Sequence, residues 1–178
     1  MADELIDICD ENNNLLGIRK MKSEAHRDGL WHRAAHIWIY NSKGEILLQL
    51  RAKNKELYPG VWDTAAAGHV GAGEEPVDAA LREVKEEIGL SVIKGNLEFF
   101  KIFKRMYVFR HLNNKEFYYV YLFKYDGDIR NLLLQEEEVE RIEFVPILEF
   151  EEGIKTHPEN YVAPGSYWLE MVEALKCK

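Results

Sequence analysis

The chain has 178 residues, 47% of them hydrophobic and 30% charged, with a net charge of −8 at neutral pH. That length and balance suit one domain over residues 1–178 with a full core, and they exclude disordered and fibrous classes. The acidic excess argues against a polyanion-binding surface, and so against long nucleic acid as a partner, but not against small phosphorylated molecules. The cysteines, Cys9 and Cys177, stand near opposite ends without ligand spacing, which predicts free thiols in a reducing compartment. The opening MADELIDICDENN has no signal-like apolar core, and no run approaches membrane-spanning length, so the expected location is cytoplasmic, away from membranes.

Residues 5–9 and 15–21 read as short strands around a polar turn at 10–14. Ser23 is placed to cap a brief helical turn that ends at Gly29. Residues 32–40 and 45–50 pattern as a hairpin of the main sheet, turning at 41–44, and a loop over 51–62 carries Arg51, Lys53 and Lys55 before Pro59-Gly60. Glu75-Pro76 opens a helix, with proline where a missing N–H does no harm, and Gly89 closes it. Beyond it, 97–109 and 117–125 are strongly β-like and joined by a polar turn at 111–116. A late strand at 141–145 and a helix at 166–176, with Leu169, Val172 and Leu175 as its apolar positions, complete the chain.

The central helix carries the chemistry. At about 100° per residue, Glu83, Glu86 and Glu87 fall in one stripe, with Val77, Ala80, Leu81, Val84 and Ile88 on the other side. Two unit charges roughly 5–6 Å apart repel by about 3 kcal/mol at an effective dielectric of 20. A cluster of three beside an apolar face therefore predicts a cation, and hard oxygen donors suit Mg²⁺ or Mn²⁺ better than zinc. A solvated glutamate face is the competing reading of Glu86 and Glu87 alone. Upstream, Gly68, Gly71 and Gly73 allow backbone to come close to a ligand.

Written as G-x5-E-x7-R-E-U-x-E-E-x-G-U, with U aliphatic, residues 68–90 resemble the Nudix box at every specified position: Gly68, Glu74, Arg82, Glu83, Val84, Glu86, Glu87, Gly89 and Leu90. The resemblance implies an α/β fold, an α/β/α sandwich whose mixed sheet is flanked by helices. It also implies hydrolysis of a nucleoside diphosphate linked to another group, with a divalent metal. Carried over residue by residue, it makes Glu83 and Glu87 metal ligands and Glu86 a ligand or water-mediated contact. The Gly68 carbonyl becomes a further ligand, and Arg82 orients a box glutamate. A homodimer is common in the family. The general base varies among its members; Glu86 is the candidate inside the box, and the run Glu136-Glu137-Glu138 offers another or is simply a solvated loop.

The likeness extends upstream. His32-Arg33-Ala34, the LLQLRAK strand and loop, PGVWD and Gly68-His69 look like isopentenyl-diphosphate isomerases and hydrolases close to them. Those isomerases carry a cysteine where Ala67 stands here, and alanine cannot exchange a proton, so hydrolysis of a small phosphorylated substrate is the favoured reading. His26, His32 and His69 occupy positions where that family places histidine ligands, and Glu116 is near its acidic ones. They form a second cation site, or His26 is a surface residue and the other two make structural hydrogen bonds. Arg51 and Lys55 are the phosphate-binding candidates, with surface salt bridges as the alternative. Trp31, Trp62, Tyr58 and Tyr119 are available to stack on a base or to fill the core.

Overall fold

A computed structural model describes residues 3–55, 57–109, 112–162 and 165–178. These form a nine-stranded mixed sheet with helices on both faces. In chain order the elements are β1 (Leu5–Cys9), β2 (Leu15–Met21), α1 (Lys22–Asp28), β3 (Trp31–Tyr40), β4 (Glu45–Arg51), β5 (Trp62–Thr64), β6 (Ala66–His69), α2 (Pro76–Ile88), β7 (Glu98–Phe109), β8 (Leu112–Lys124), β9 (Val139–Pro146), α3 (Ile147–Thr156) and α4 (Ser166–Leu175). No helix among the described residues is long and apolar enough to cross a membrane.

Strand β3 is the hub. It runs antiparallel to β1, β4 and β6 and parallel to β8, and that one parallel pairing is what makes the sheet mixed. Covered on both faces, it reads as a nearly continuous apolar run. Ala34 and Trp38 point into a core shared with Phe150 and Ile154 of α3 and Tyr167, Trp168, Met171, Val172 and Leu175 of α4. Ala35, Ile37 and Ile39 point into a second core, built with Ala79, Ala80, Val84 and Ile88 of α2. This is the expected α/β/α sandwich.

Local details depart from the sequence pattern for physical reasons. Met21, not Ser23, caps α1: its N–H donates to the Glu24 carboxylate, while the Ser23 hydroxyl is drawn off to Asp3. The expected turn at 111–116 is mostly strand, because Leu112 to Glu116 pair with β7; His111 lies outside the described residues. Leu169 is 41% exposed, and the bulky Tyr167, Trp168 and Met171 set the inward face of α4 instead.

The Tyr167 hydroxyl ties α4 to the sheet. It accepts from Trp38 Nε1 at 2.8 Å and lies 3.1 Å from His36 Nδ1. Trp38 is fully buried, so Tyr167→Phe strands its N–H. The expected loss is about 2 kcal/mol, a fall in Tm of about 5 °C. Calorimetry showing no shift would mean that this hydrogen bond contributes nothing to stability.

Candidate active site

Helix α2 begins at an extended Glu75 followed by Pro76 and ends at Gly89, whose φ of 71° closes the last turn through its N–H to the Lys85 and Val84 carbonyls. Between these stops, Glu83 and Glu87 come one turn apart, 8% and 5% exposed. They border the apolar face instead of lying opposite it, and only Glu86 of the three points outward. The single stripe expected from the helical wheel is therefore split. The reason lies across from it: β6 supplies Ala66, Ala67 and Gly68, small residues that leave room for two carboxylates against the sheet.

Gly68 is required by that closeness. A Cβ there would run into the Glu83 carboxylate. Glu87 Oε2 accepts from the Ala67 N–H and from Gln49 Nε2, both at 3.1 Å. Arg82 gathers the rest: Nε and Nη2 grip Glu74 at 3.0 Å each, Nη2 also reaches the His69 carbonyl at 3.0 Å, and Nη1 meets Glu83 at 2.6 Å and Glu86 at 3.2 Å. Glu74 in turn accepts from the Gly71 N–H at 2.9 Å.

Burial raises Glu83 to about 7 in spite of Arg82. It raises Glu87 to about 8, with the charge of Glu83 adding to the effect. Two carboxylates held together at this penalty, beside a glycine cradle and a Gln49 Oε1 that meets no donor among the described residues, fit a hard divalent cation.

The remaining candidates separate. Arg51 braces its own loop, donating to the Leu57 and Tyr58 carbonyls, both at 3.1 Å, and to Asp63 at 3.0 Å. Lys55 is ion-paired with Glu138, which is buried, whereas Glu136 and Glu137 are exposed. Trp62 packs against the α3–α4 core with Arg141 over its ring, Trp31 lies on Phe117, and Tyr119 accepts from Asn13. Tyr58 sits 6.2 Å, ring to ring, from Tyr107.

On the other side of β6 a second cluster forms. His26 Nε2 lies 3.2 Å from Nε2 of both His32 and His69, and Glu116 Oε1 lies 3.3 Å and 3.2 Å from the same two rings. His26 is 5% exposed, which corrects the reading of it as a surface residue. His32 Nδ1 donates to the Leu30 carbonyl at 2.9 Å, leaving its Nε2 lone pair to face the cluster. Burial pushes His26 down to about 4 and His69 to about 3, while Glu116, against its own burial, is held well below the usual carboxylate range by the His32 and His69 rings beside it. Three imidazoles and one carboxylate, with ligand atoms converging within 4.8 Å, are a donor set for a transition ion.

Sequence reasoning missed Asn114, which donates to Glu116 at 2.7 Å and to the Tyr107 hydroxyl at 2.6 Å. It also missed Gln49. A polar residue at a buried strand position is the signal that marks Gln49. Strand β6 joins the two clusters: the Ala67 N–H holds Glu87, Gly68 faces Glu83, and His69 gives its ring to one cluster and its carbonyl to Arg82.

A family model described as the NUDIX domain matches residues 30–164. The chain is 35% identical over 168 residues to Nudix hydrolase 3 of Arabidopsis thaliana, covering 91% of this chain but only 22% of that longer protein. It is 32% identical over 142 residues to an uncharacterized Nudix hydrolase of Clostridium acetobutylicum, covering 78% of this chain and 68% of the other. It is equally 32% identical, over 170 residues, to isopentenyl-diphosphate Delta-isomerase 1 of Aromatoleum aromaticum, covering 96% and 90%. Among solved structures, a Deinococcus radiodurans protein superposes with a TM-score of 0.71 at 19% identity, over 97% of this chain and 99% of that one, a likeness of fold alone.

Proposed function

The chain belongs to the Nudix family, and from that premise we propose that it is a Mg²⁺- or Mn²⁺-dependent hydrolase that cuts a phosphoanhydride bond in a nucleoside diphosphate derivative or a related small phosphorylated molecule. The observation that carries this reading is the pair Glu83 and Glu87, buried side by side against Gly68 and Ala67. Glu83, Glu87 and the Gly68 carbonyl would hold the cation, with Glu86 at the rim. When bound, it neutralises phosphate oxygens and makes water more acidic. Arg82 fixes Glu83 through a charge-assisted hydrogen bond and so acts as a positioning residue. Lys55, on the loop that follows Gln49, would take the incoming phosphates, and Arg51, engaged by the Leu57 and Tyr58 carbonyls and Asp63, would shape the loop that presents it.

Relatives named as isomerases share the scaffold, yet position 67 offers only a methyl group, which neither donates nor takes a proton. The test is release of phosphate or nucleoside monophosphate from nucleoside di- and triphosphates and nucleotide sugars, with isopentenyl diphosphate in deuterated water alongside. Turnover in the first set without deuterium uptake is expected. Failure of every phosphoanhydride with Mg²⁺ and with Mn²⁺ would defeat the proposal.

His26, His32, His69 and Glu116 fit a second, softer cation such as Zn²⁺. Such an ion would clamp α1, β3, β6 and β8 together. Zn²⁺ at about a hundredfold over its Kd is expected to stabilise the fold by about 2.7 kcal/mol. The matching rise in Tm should vanish in His26→Asn, and an equal rise in that variant would place the ion elsewhere.

A further inference from the structure

The Lys55–Glu138 ion pair joins residues 83 positions apart and is largely shielded, with side chains 14% and 8% exposed. Glu138 Oε2 meets the ammonium, while Oε1 is cut off from solvent and meets no donor among the described residues. A carboxylate left half-satisfied in this way is uncommon in a folded protein.

Its place in the fold is specific. The Ala52 N–H donates to the Glu138 carbonyl at 2.9 Å, and Val139 pairs with Arg51 where β4 meets β9. Two residues back along β4, Gln49 reaches the Glu87 carboxylate. On the other flank, the Gln135 N–H donates to the Glu87 carbonyl at 3.0 Å. The loop bearing Lys55 and the turn bearing Glu138 are therefore both rooted on residues that touch Glu87. Among the neighbouring acids, Glu86 is half-exposed and tied to Arg82, and Glu136 and Glu137 face solvent.

We propose that Lys55 latches Glu138 in the resting protein and leaves it for an arriving phosphate, so that Glu138 becomes the base for the attacking water; this rests on the hydrolase reading above. A lysine ammonium is a point charge on a flexible stem, and it exchanges one anion for another without the geometric demands of a guanidinium. In the step that follows, the water oxygen bonds to phosphorus as one of its protons passes to Glu138. The anhydride P–O bond breaks with its electron pair going to the leaving phosphate, and Glu138 later returns the proton to solvent.

The latch makes binding and turnover move in opposite directions in one variant. Glu138→Gln frees Lys55, so Mg²⁺-pyrophosphate should bind several-fold tighter by calorimetry, while kcat on the substrate found in the panel falls at least about a hundredfold. Lys55→Met should weaken pyrophosphate at least about tenfold. Weaker or unchanged pyrophosphate binding in Glu138→Gln, or a kcat within threefold of wild type, overturns the latch. If the wild type hydrolyses nothing, the hydrolase reading fails while the pyrophosphate measurements still decide whether Lys55 moves. Should Glu138→Gln not fold, the wild-type protein decides by carboxylate ¹³C NMR. Adding pyrophosphate to Mg²⁺-loaded protein should shift the Glu138 signal, and an unmoved signal overturns the proposal.

Discussion

Replacing Glu87 with glutamine is expected to reduce turnover by about a thousandfold and, at the same time, to make the metal-free protein more stable at pH 8. The first effect follows from losing one of two buried carboxylates that would hold the cation, whose charge stabilisation is worth several kcal/mol, about tenfold in rate for each 1.4 kcal/mol. The second follows from geometry. Both donors to Glu87, the Ala67 N–H and Gln49 Nε2, converge on the same oxygen, and a glutamine carbonyl can accept from both. What disappears is a charge that burial and Glu83 disfavour, so a gain of a few kcal/mol and a Tm higher by about 5–10 °C are expected. Unaltered turnover in Glu87→Gln would remove that residue from the site, and a lower Tm would show that its charge is satisfied without metal.

The same shifts fix how metal-free stability depends on pH. Glu83 and Glu87 titrate near 7 and 8 in the folded chain, above their unfolded value of 4.5, so the folded state holds more protons between those limits. Their stabilisation is complete at low pH and is lost as pH rises through about 7 to 8. His26 and His69 are depressed from 6.5 to about 4 and 3, so the folded state holds fewer protons there, and stability is lost as pH falls from 6.5 through those values. The two effects oppose each other between 4.5 and 6.5. A Tm profile with a broad maximum in that interval and a fall on each side is expected, and Mg²⁺ should lift the alkaline side. A Tm still rising between pH 7 and 9 without metal would contradict the buried-carboxylate account.

How much of this was legible follows from sequence distance. The loop and helix of the box lie within residues 68–90, so spacing alone brings Glu83 and Glu87 together and sets proline and glycine at the helix ends. The wheel failed only in supposing that charged residues must face away from the apolar side, because it cannot show that β6 opposes them with alanine and glycine. The histidine cluster draws on positions 26, 32, 69 and 116, and no local pattern links them. Only a family resemblance groups them, and the polar pattern over 111–116 reads as a turn that leaves Glu116 outside the sheet. Three elements left no readable signal. β5 and β6 are three and four residues long and poor in β-branched side chains, and α3 buries just Phe150 and Ile154 around an interior Gly153 that accommodates the Tyr161 hydroxyl.

Arg82→Lys is the sharpest test of how the site is held. Five hydrogen bonds from one guanidinium, to Glu74, Glu83, Glu86 and the His69 carbonyl, require a flat fork of donors pointing several ways at once. A lysine ammonium keeps the charge but cannot span them. Breaking a fully buried ion pair on one side costs roughly 3–5 kcal/mol. Arg82 is about one-third exposed, so solvent reduces this to about 2 kcal/mol, a fall of about 4–8 °C in Tm. The kinetic effect should be larger, because Glu83 loses the contact that fixes its oxygen; displacement of a positioned group by about an ångström costs about a hundredfold. That loss belongs in kcat, with KM little changed, since Arg82 is directed at protein groups. The His69 carbonyl extends the prediction across β6: freeing it loosens the ring that closes the histidine cluster, so the Tm rise produced by Zn²⁺ should shrink in the same variant. Turnover within threefold of wild type together with a full Zn²⁺ response would show that Arg82 holds neither site, leaving the packing of α2 on β3 and β6 to position the carboxylates unaided.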